Sequence, residues 1–246
     1  MIKETTDIEK ADNPIKADSS KGYLQLVVMS HKENGIELYC GDSIELINQI
    51  PDKSIDLIFT DPPYPKEYLY LYDWLGSSAA DKLKQNSFLF AYTGPYWKSE
   101  VMKRLGQKLD YYWDFILKHQ GNTTILWPRK IISGYKSILC YQKGRCLPKT
   151  NVLGLFIGTG GDKRFHKWGQ EESSARYYID CFTNEGDLVF DPFLGGGTTA
   201  VVCKYLNRRF IGFEKDENTF KIAVERLKNQ HKPKKYEQLK FNCCET

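Results

Sequence analysis

Two short motifs, far apart in the chain, carry the residues best suited to chemistry. The first is Asp-Pro-Pro-Tyr at positions 61–64, directly after the apolar run 55–60. The second is Asp-Pro-Phe-Leu-Gly-Gly-Gly-Thr-Thr at positions 191–199, directly after the apolar run 188–190. Each motif places a carboxylate and a turn at the carboxyl end of a predicted buried strand, where open α/β sheets bind their ligands. Together the motifs indicate a transferase that modifies an amine.

The first motif is suited to holding an amino group. An exocyclic amine of adenine or cytosine is a poor nucleophile, because its lone pair is delocalised into the ring. The Asp61 carboxylate and the Pro62 carbonyl can accept its two hydrogens and favour a tetrahedral nitrogen as positive charge develops. Pro62 and Pro63 restrict φ and hold that carbonyl outward. The ring of Tyr64 offers a face on which a base can stack after it leaves the duplex.

The glycines of the second motif allow a ligand to approach the backbone closely. Gly195, Gly196 and Gly197 follow a strand and tolerate positive φ. No lysine follows them, as a Walker-type phosphate loop would require. Thr198 and Thr199 are predicted to cap the helix that begins here. A plain tight turn would also explain the glycines, so the neighbouring carboxylates decide the interpretation.

Three carboxylates are predicted to surround this glycine turn. Asp191 opens the motif, Glu214 ends the next predicted strand, and Asp42 follows the predicted strand 36–40. An acid at the position of Glu214 accepts hydrogen bonds from ribose hydroxyls in nucleotide-binding βαβ units. Asp42 is expected near an exocyclic adenine amine or a neighbouring polar group of the ligand. Carboxylates suit a cationic, ribose-bearing ligand better than a pyrophosphate, and S-adenosylmethionine has a sulfonium, an ammonium and a ribose.

Both motifs resemble those of the amino-group DNA methyltransferases, which modify adenine N6 or cytosine N4. The run 61–64 matches that family's catalytic tetrapeptide. The run 191–199 resembles its cofactor loop, with Gly196 where Ser is common. Because the catalytic motif precedes the cofactor motif, the chain resembles the permuted β group. The similarity covers roughly residues 36–228.

This resemblance implies a role for each matching residue. Asp61, Pro62, Pro63 and Tyr64 would be the catalytic set, and S-adenosyl-L-methionine would be the cofactor. The segment 166–170, His-Lys-Trp-Gly-Gln, resembles the family's segment ahead of the cofactor strand, so Gln170 is expected near the methionine end. The predicted cofactor-binding residues are Asp42, Gln170, Asp191, Phe193, Gly195, Gly197, Thr198 and Glu214. No metal site is predicted.

The implied reaction is methyl transfer from S-adenosylmethionine to the exocyclic amine of a base flipped out of double-stranded DNA. Asp61 favours adenine N6, since cytosine-N4 enzymes of the family that this chain resembles more often have Ser at that position. The alternatives are a cytosine-N4 DNA methyltransferase, an RNA or protein-amide methyltransferase, and a non-catalytic DNA-binding module on the same fold. RNA and protein-amide enzymes more often begin the tetrapeptide with Asn. Nothing favours a non-catalytic module, because both motifs are intact.

A strand-then-helix rhythm must position these motifs. Apolar runs predict strands at 36–40, 55–60, 87–92, 188–190 and 209–213, with amphipathic helices between them. Ser43 is predicted to cap a helix with Ile44, Ile47 and Ile50 on its apolar face. Tyr111–Leu117 and Ser137–Tyr141 read as two further strands that form an antiparallel edge. The pattern predicts an α/β, Rossmann-like methyltransferase fold with a mainly parallel sheet and helices on both faces.

The domain organisation follows from composition. Residues 1–30 are polar and predict a flexible arm, 31–230 a methyltransferase domain, and 231–246 a basic tail. Short loops near 121–134 and 143–165 are the predicted target-recognition regions. Their basic and aromatic residues suit contact with a nucleic-acid backbone and stacking. These residues are Trp127, Lys130, Arg145, Lys149, Lys163 and Arg164.

Overall composition limits the classes of protein that this chain can belong to. Hydrophobic residues make up 41% and aromatic residues 14% of the chain, as in folded soluble proteins. No apolar run approaches a membrane span and the N-terminus has no signal-peptide core, so a cytoplasmic location is expected. The seven cysteines show no metal-ligand spacing. A net charge of +4 permits a DNA partner without requiring one, and a homodimer is possible.

Overall fold

The described residues of the computed structural model, 29–118, 123–127, 129–158 and 172–229, form an α/β fold. The predicted N-terminal arm up to residue 28, the basic tail, and the segment that holds Gln170 lie outside them. The strands are β1 (Met29–Glu33), β2 (Ile36–Cys40), β3 (Ile55–Thr60), β4 (Leu83–Thr93), β5 (Asp110–Lys118), β6 (Thr124–Leu126), β7 (Ile131–Ser133), β8 (Tyr135–Lys143), β9 (Leu155–Ile157), β10 (Leu188–Asp191) and β11 (Arg209–Glu214).

Nine of these strands form one sheet in the order β1-β2-β11-β10-β3-β4-β8-β5-β9, while β6 and β7 pair separately as a hairpin. The central strands β2, β11, β10, β3 and β4 are mutually parallel. On one side β8 runs antiparallel to β4 and to β5, and on the other side β1 runs antiparallel to β2. The predicted mainly parallel sheet with an antiparallel edge is confirmed.

Helices cover both faces of the sheet, as predicted. Residues of α1, α2 and α3 pack with Ile58 and Leu89 on one face, and residues of α4, α5 and α6 pack with Phe59 and Phe90 on the other. The central strands are buried on both sides, which explains why β10 reads as a continuous apolar run. The helices are α1 (Ser43–Leu46), α2 (Tyr70–Lys82), α3 (Lys98–Leu105), α4 (Glu172–Phe182), α5 (Thr198–Tyr205) and α6 (Glu217–Lys228).

The structure departs from the sequence prediction at the sheet's margins. Strand β1 begins inside the stretch predicted as a flexible arm, because its pairing with β2 and not its own apolar pattern forms it. At the other margin, the short strand β9 pairs with β5 in parallel and adds one strand beyond the antiparallel pair of β8 and β5. Pairing of these short strands depends on distant segments, which local periodicity does not report.

The helix predicted after the Gly41 turn is shorter than expected. Its cap is Asp42 and not Ser43, since the Asp42 carboxylate accepts the Ile44 N–H at 2.8 Å. One turn of α1 passes into a 3₁₀ helix at Ile47–Gln49. Ile44 is exposed, whereas Ile47 and Ile50 are buried as predicted. The Ser43 hydroxyl donates instead to the Pro192 carbonyl, which ties this turn to the second motif.

Candidate active site

The carboxyl ends of four neighbouring parallel strands, β2, β11, β10 and β3, meet at one edge of the sheet, here named the cavity edge. A cavity of about 600 Å³ opens there, within the usual range for small-molecule sites. It contains both motifs, so the structure brings together residues that are far apart in sequence. The predicted residues that line it are Asp42, Asp61, Pro62, Pro63, Tyr64, Asp191, Phe193, Gly195, Thr198 and Glu214.

Asp191 organises the turn from within the protein. Asp191 is 3% exposed, and its carboxyl group accepts hydrogen bonds from the Thr60 hydroxyl at 2.7 Å, the Thr199 hydroxyl at 2.8 Å and the Phe193 N–H at 3.0 Å. Burial raises the pKa of Asp191 to about 6, although these three donors act to lower it. The group therefore joins the end of β3 to both ends of the glycine turn.

The glycine turn needs glycine for two different reasons. Gly195 and Gly197 have φ values of +53° and +77°, which L-residues with side chains rarely adopt. A Cβ atom on Gly197 would also lie 3.0 Å from the Cβ of Ala223, because α6 packs directly on the turn. A Cβ atom on Gly195 would meet only the Phe193 carbonyl, at 3.9 Å. Backbone conformation alone thus selects glycine at 195, and helix packing selects it as well at 197.

Glu214 and Asp42 lie together beside this turn. One Glu214 carboxylate oxygen accepts the Gly195 N–H at 2.9 Å and the other accepts the Asp216 N–H at 2.9 Å. The Glu214 backbone carbonyl accepts the Gly41 N–H at 2.9 Å, which brings Asp42 to the same rim. Each carboxylate oxygen has a second lone pair, so a half-buried Glu214 and an exposed Asp42 can still accept hydrogen bonds from a ligand.

The first motif is held at the end of β3 by contacts among its own residues. The Tyr64 hydroxyl donates to one oxygen of Asp61, and the Lys136 ammonium lies 3.9 Å from the other. The same ammonium lies 5.0 Å from the centroid of the Tyr64 ring. Burial foremost, and then the charge of Asp61, raise the pKa of Tyr64 well above its usual value. The hydroxyl therefore stays protonated and able to donate.

The predicted role of Thr198 and Thr199 as helix caps is wrong, and the predicted role of Gln170 stays a prediction. Thr198 and Thr199 do not cap α5, whose N-cap is Gly197 and has no side-chain cap. Their hydroxyls instead reach inward: Thr199 donates to Asp191, and Thr198 accepts from Arg226 at 3.0 Å. Gln170, His166, Lys163 and Arg164 lie outside the described residues.

Sequence reasoning missed a buried ion pair behind the turn. Arg226 of α6 is 1% exposed and donates to the Gly196 carbonyl and to the Thr198 hydroxyl, each at 3.0 Å. Its other terminal nitrogen pairs with Glu172 at 2.5 Å, at the start of α4. A signal was present in the sequence: Arg226 sits beside Ala223 and Leu227 on the apolar face of α6, where a charge needs a partner.

Lys136 was also missed, and no local signal marks it. It lies in β8, which reaches the first motif only because β8 pairs with β4, the neighbour of β3. Within the described ranges, no group of three His, Cys, Asp or Glu side chains is arranged to hold a metal ion. No helix in that part of the chain is long and apolar enough to cross a membrane.

Comparison with known proteins agrees with this geometry. A family model described as DNA methylase matches residues 148–225. The Type II methyltransferase M.BamHI of Bacillus amyloliquefaciens is 30% identical over 287 aligned positions, which cover 95% of this chain and 66% of that protein. The chain belongs to the amino-group DNA methyltransferase family.

Solved structures of other proteins share the fold of this chain. The M1.HpyAVI–SAM complex superposes with a TM-score of 0.66 at 25% identity, over 78% of this chain and 100% of that one. PvuII DNA methyltransferase, which is cytosine-N4-specific, gives a TM-score of 0.65 at 19% identity, over 78% and 86% of the two chains. The predicted Rossmann-like methyltransferase fold is confirmed.

Proposed function

We propose that this chain transfers the methyl group of S-adenosylmethionine to the exocyclic amine of a base flipped out of double-stranded DNA. The preferred target is adenine N6. One observation carries the proposal: Asp61 and Tyr64 share a single cavity with the glycine turn and Glu214. An acceptor for an amine and an acceptor for a ribose therefore face the same space. The match to a family model described as DNA methylase supports the DNA substrate.

The cavity suits S-adenosylmethionine by the chemistry of its lining. The groups beside the glycine turn are carboxylates, which accept from ribose hydroxyls and attract an ammonium or a sulfonium. Glu214 and Asp42 would hold the ribose and adenine, and Phe193 and Gly195 would lie against the ligand. When bound, the cofactor supplies an activated methyl group. The solved M1.HpyAVI–SAM complex supports this assignment.

The first motif would position the target amine. The Asp61 carboxylate and the Pro62 carbonyl would accept its two hydrogens, which favours a tetrahedral nitrogen. Positive charge then develops next to a fixed carboxylate, which needs no reorganisation at that moment. Asp61 can also accept the proton that the nitrogen must lose. The Tyr64 ring would support the base from one side.

The choice between adenine and cytosine rests on one residue. Cytosine-N4 members of the family more often have Ser at the position of Asp61. The aspartate therefore favours adenine N6. PvuII DNA methyltransferase shows that the fold also occurs in a cytosine-N4 enzyme. Mass spectrometry of nucleosides from plasmid DNA incubated with the protein and S-adenosylmethionine tests the choice. We expect N6-methyladenine, and N4-methylcytosine without N6-methyladenine would overturn the base assignment. Methylation of structured RNA in preference to duplex DNA would overturn the substrate class.

Two substitutions separate the two halves of the site. We expect Asp61→Ala to lower turnover by two to three decades, since one preorganised acceptor is worth on the order of 3–4 kcal/mol in the transition state. Its affinity for S-adenosylmethionine should stay close to wild type, because the carboxylate acts on the amine. Glu214→Ala should weaken cofactor binding first, since ribose contacts are alike in the ground and transition states. Calorimetric titration and single-turnover rates check both.

The outcome that contradicts these roles is the reversed pattern. If Asp61→Ala kept its turnover and Glu214→Ala bound the cofactor normally, both assignments would be wrong. A well-folded wild-type protein that does not bind S-adenosylmethionine would favour a non-catalytic DNA-binding module instead. A homodimer is a further proposal, which sedimentation equilibrium with and without DNA tests.

A further inference from the structure

Lys136 places a cation in the cavity beside the first motif. It lies in β8 at the cavity edge, and its ammonium is 3.9 Å from Asp61 and 5.0 Å from the centre of the Tyr64 ring. Its side chain is 26% exposed, so Lys136 is not enclosed by the protein. In the free protein, Lys136 therefore lies close to both Asp61 and Tyr64, the two groups that the proposed reaction requires for the base.

That position conflicts with the proposed chemistry. The amine nitrogen gains positive charge as it is methylated, and a cation about 4 Å from the acceptor carboxylate would oppose this charge in a partly buried cavity. The ring face of Tyr64 under the ammonium is also a face on which a base would stack. In this position Lys136 competes with the base for Asp61 and for one face of Tyr64.

We propose that Lys136 exchanges Asp61 and Tyr64 for a phosphate of the DNA strand that carries the target base. This inference rests on the proposed function. A phosphate is the acceptor that the substrate itself brings to the cavity edge, and contacts of Lys with phosphates position proteins on DNA. Binding of the substrate would thus uncover the carboxylate and the ring at the moment when they are needed.

A matched pair of lysines tests the phosphate contact. Lys84 also pairs with an aspartate, since its ammonium lies 2.7 Å from Asp56, but both residues are at the starts of β4 and β3, at the edge opposite to the cavity. We expect Lys136→Gln to reduce the slope of log affinity against log salt by about 0.9, the value of one phosphate contact, and Lys84→Gln to leave it unchanged. The probe is a fluorescein-labelled duplex of mixed sequence, measured by anisotropy.

The exchange itself is tested by a double-mutant cycle with Asp61→Asn. Because Asp61 competes with the phosphate for Lys136, we expect Asp61→Asn to tighten duplex binding several-fold in the wild-type background. In the Lys136→Gln background the tightening should be much smaller, because only general relief of repulsion between Asp61 and DNA is left. Equal tightening in both backgrounds would overturn the exchange, and an unchanged salt slope in Lys136→Gln would overturn the phosphate contact.

This experiment is independent of the proposed reaction. It measures binding alone, whereas the reaction is measured by methyl transfer to DNA. A wild-type protein that shows the cycle but transfers no methyl group would overturn the proposed function and keep the inference. Lys136→Arg, which keeps the charge, should retain the wild-type salt slope and shows that a loss in Lys136→Gln is not caused by misfolding.

Discussion

Two aspartates at the ends of neighbouring strands have opposite environments, and this difference separates their tasks. Asp191 is buried, and its carboxylate accepts hydrogen bonds from Thr60, Phe193 and Thr199. Asp61 is half-buried and faces the cavity. A ligand is therefore more accessible to Asp61, whereas Asp191 fixes the shape of the turn. Direct contact of Asp191 with the cofactor stays a prediction.

The buried carboxyl of Asp191 should give the protein a measurable pH dependence. Its pKa is about 6 in the folded chain and near 3.8 when unfolded, so the folded state holds a proton that the unfolded state releases between these values. Folding stability should therefore fall as pH rises from about 4 to about 6, by up to roughly 3 kcal/mol. In Asp191→Asn this contribution should vanish. Urea unfolding of both proteins from pH 4 to pH 7 gives the difference.

The comparison removes the effect of other titrating groups, since these are common to both proteins. A difference in stability that stays constant across this pH range would contradict a raised pKa at Asp191. A difference that grows in the opposite direction would indicate that the hydrogen bonds from Thr60 and Thr199 outweigh burial.

The hydroxyl and the ring of Tyr64 should contribute unequally to turnover. Tyr64→Phe removes the hydrogen bond to Asp61, which is worth about 1–2 kcal/mol, so a fall of roughly tenfold is expected. Tyr64→Ala also removes the stacking face, which is worth about 1–3 kcal/mol, so its turnover should be lower by a further factor of about ten or more. Single-turnover methyl transfer checks this order. Equal losses in the two variants would mean that the ring does not support the base and that only the hydroxyl matters.

At the scale of elements, α6 holds the glycine turn in place. Arg226 binds the turn from within, and Ala223 packs against Gly197. Glu172, which pairs with Arg226, begins α4 directly after the segment that holds Gln170. One buried side chain thus links the turn, α6 and the start of α4, so we expect a displacement of either helix to displace the glycine turn as well.

Gly197→Ala should show how tightly this packing is set, with Gly186→Ala as its control. Both glycines have positive φ, +77° and +81°, but a Cβ atom at 186 would meet nothing within 4 Å. Gly186→Ala should therefore cost only the conformational strain, about 1 kcal/mol. Gly197→Ala adds the collision with Ala223 and should cost roughly 2–4 kcal/mol. It should also weaken binding of S-adenosylmethionine, measured by titration calorimetry, while Gly186→Ala should not.

If both variants lost the same stability, the packing of α6 on the turn would not be tight. If Gly197→Ala lost stability but kept the cofactor affinity, the turn would not depend on α6 for its function.

The sequence could predict features that depend on neighbouring residues, but not contacts between segments that are far apart in the chain. Asp61, Asp191 and Glu214 were found because each ends an apolar run, and a strand's end is a local property. Lys136 was not found, because its approach to Asp61 depends on the order of strands in the sheet. The cap at Asp42 was misassigned by one residue, because Asp and Ser are both good caps and only the fold decides which carbonyl Ser43 reaches.

At the scale of the whole molecule, the two predicted recognition loops begin at opposite edges of the sheet. The β6–β7 hairpin joins the end of β5 to the start of β8, so it lies at the cavity edge beside Lys136. Its Arg129 guanidinium stacks 4.3 Å from the ring centroid of Tyr96, which follows β4 at that edge. The second loop begins where β8 ends, at the opposite edge of the sheet, and Lys149 pairs there with Asp180 of α4. The described start of this loop therefore lies away from the cavity, and Lys163 and Arg164 near its end lie outside the described residues.

The hairpin should be the main aromatic contact with DNA in the described part of the chain. Trp127 is 67% exposed at its end, with Ile132 exposed nearby, and neither position contributes to the described hydrophobic core. Stacking of an exposed aromatic ring on a base that has left the duplex stack is worth about 1–3 kcal/mol, so Trp127→Ala should weaken duplex binding by roughly tenfold if the ring makes this contact. Trp113 is the matched control, since it is 54% exposed but lies in the middle of β5, away from the cavity edge. Trp113→Ala should bind a labelled duplex as the wild type does, in the same anisotropy measurement. Equal losses in the two variants would mean that the hairpin has no special contact with DNA, whereas a loss confined to Trp127→Ala, with unchanged S-adenosylmethionine affinity, would place the bound duplex across the cavity edge.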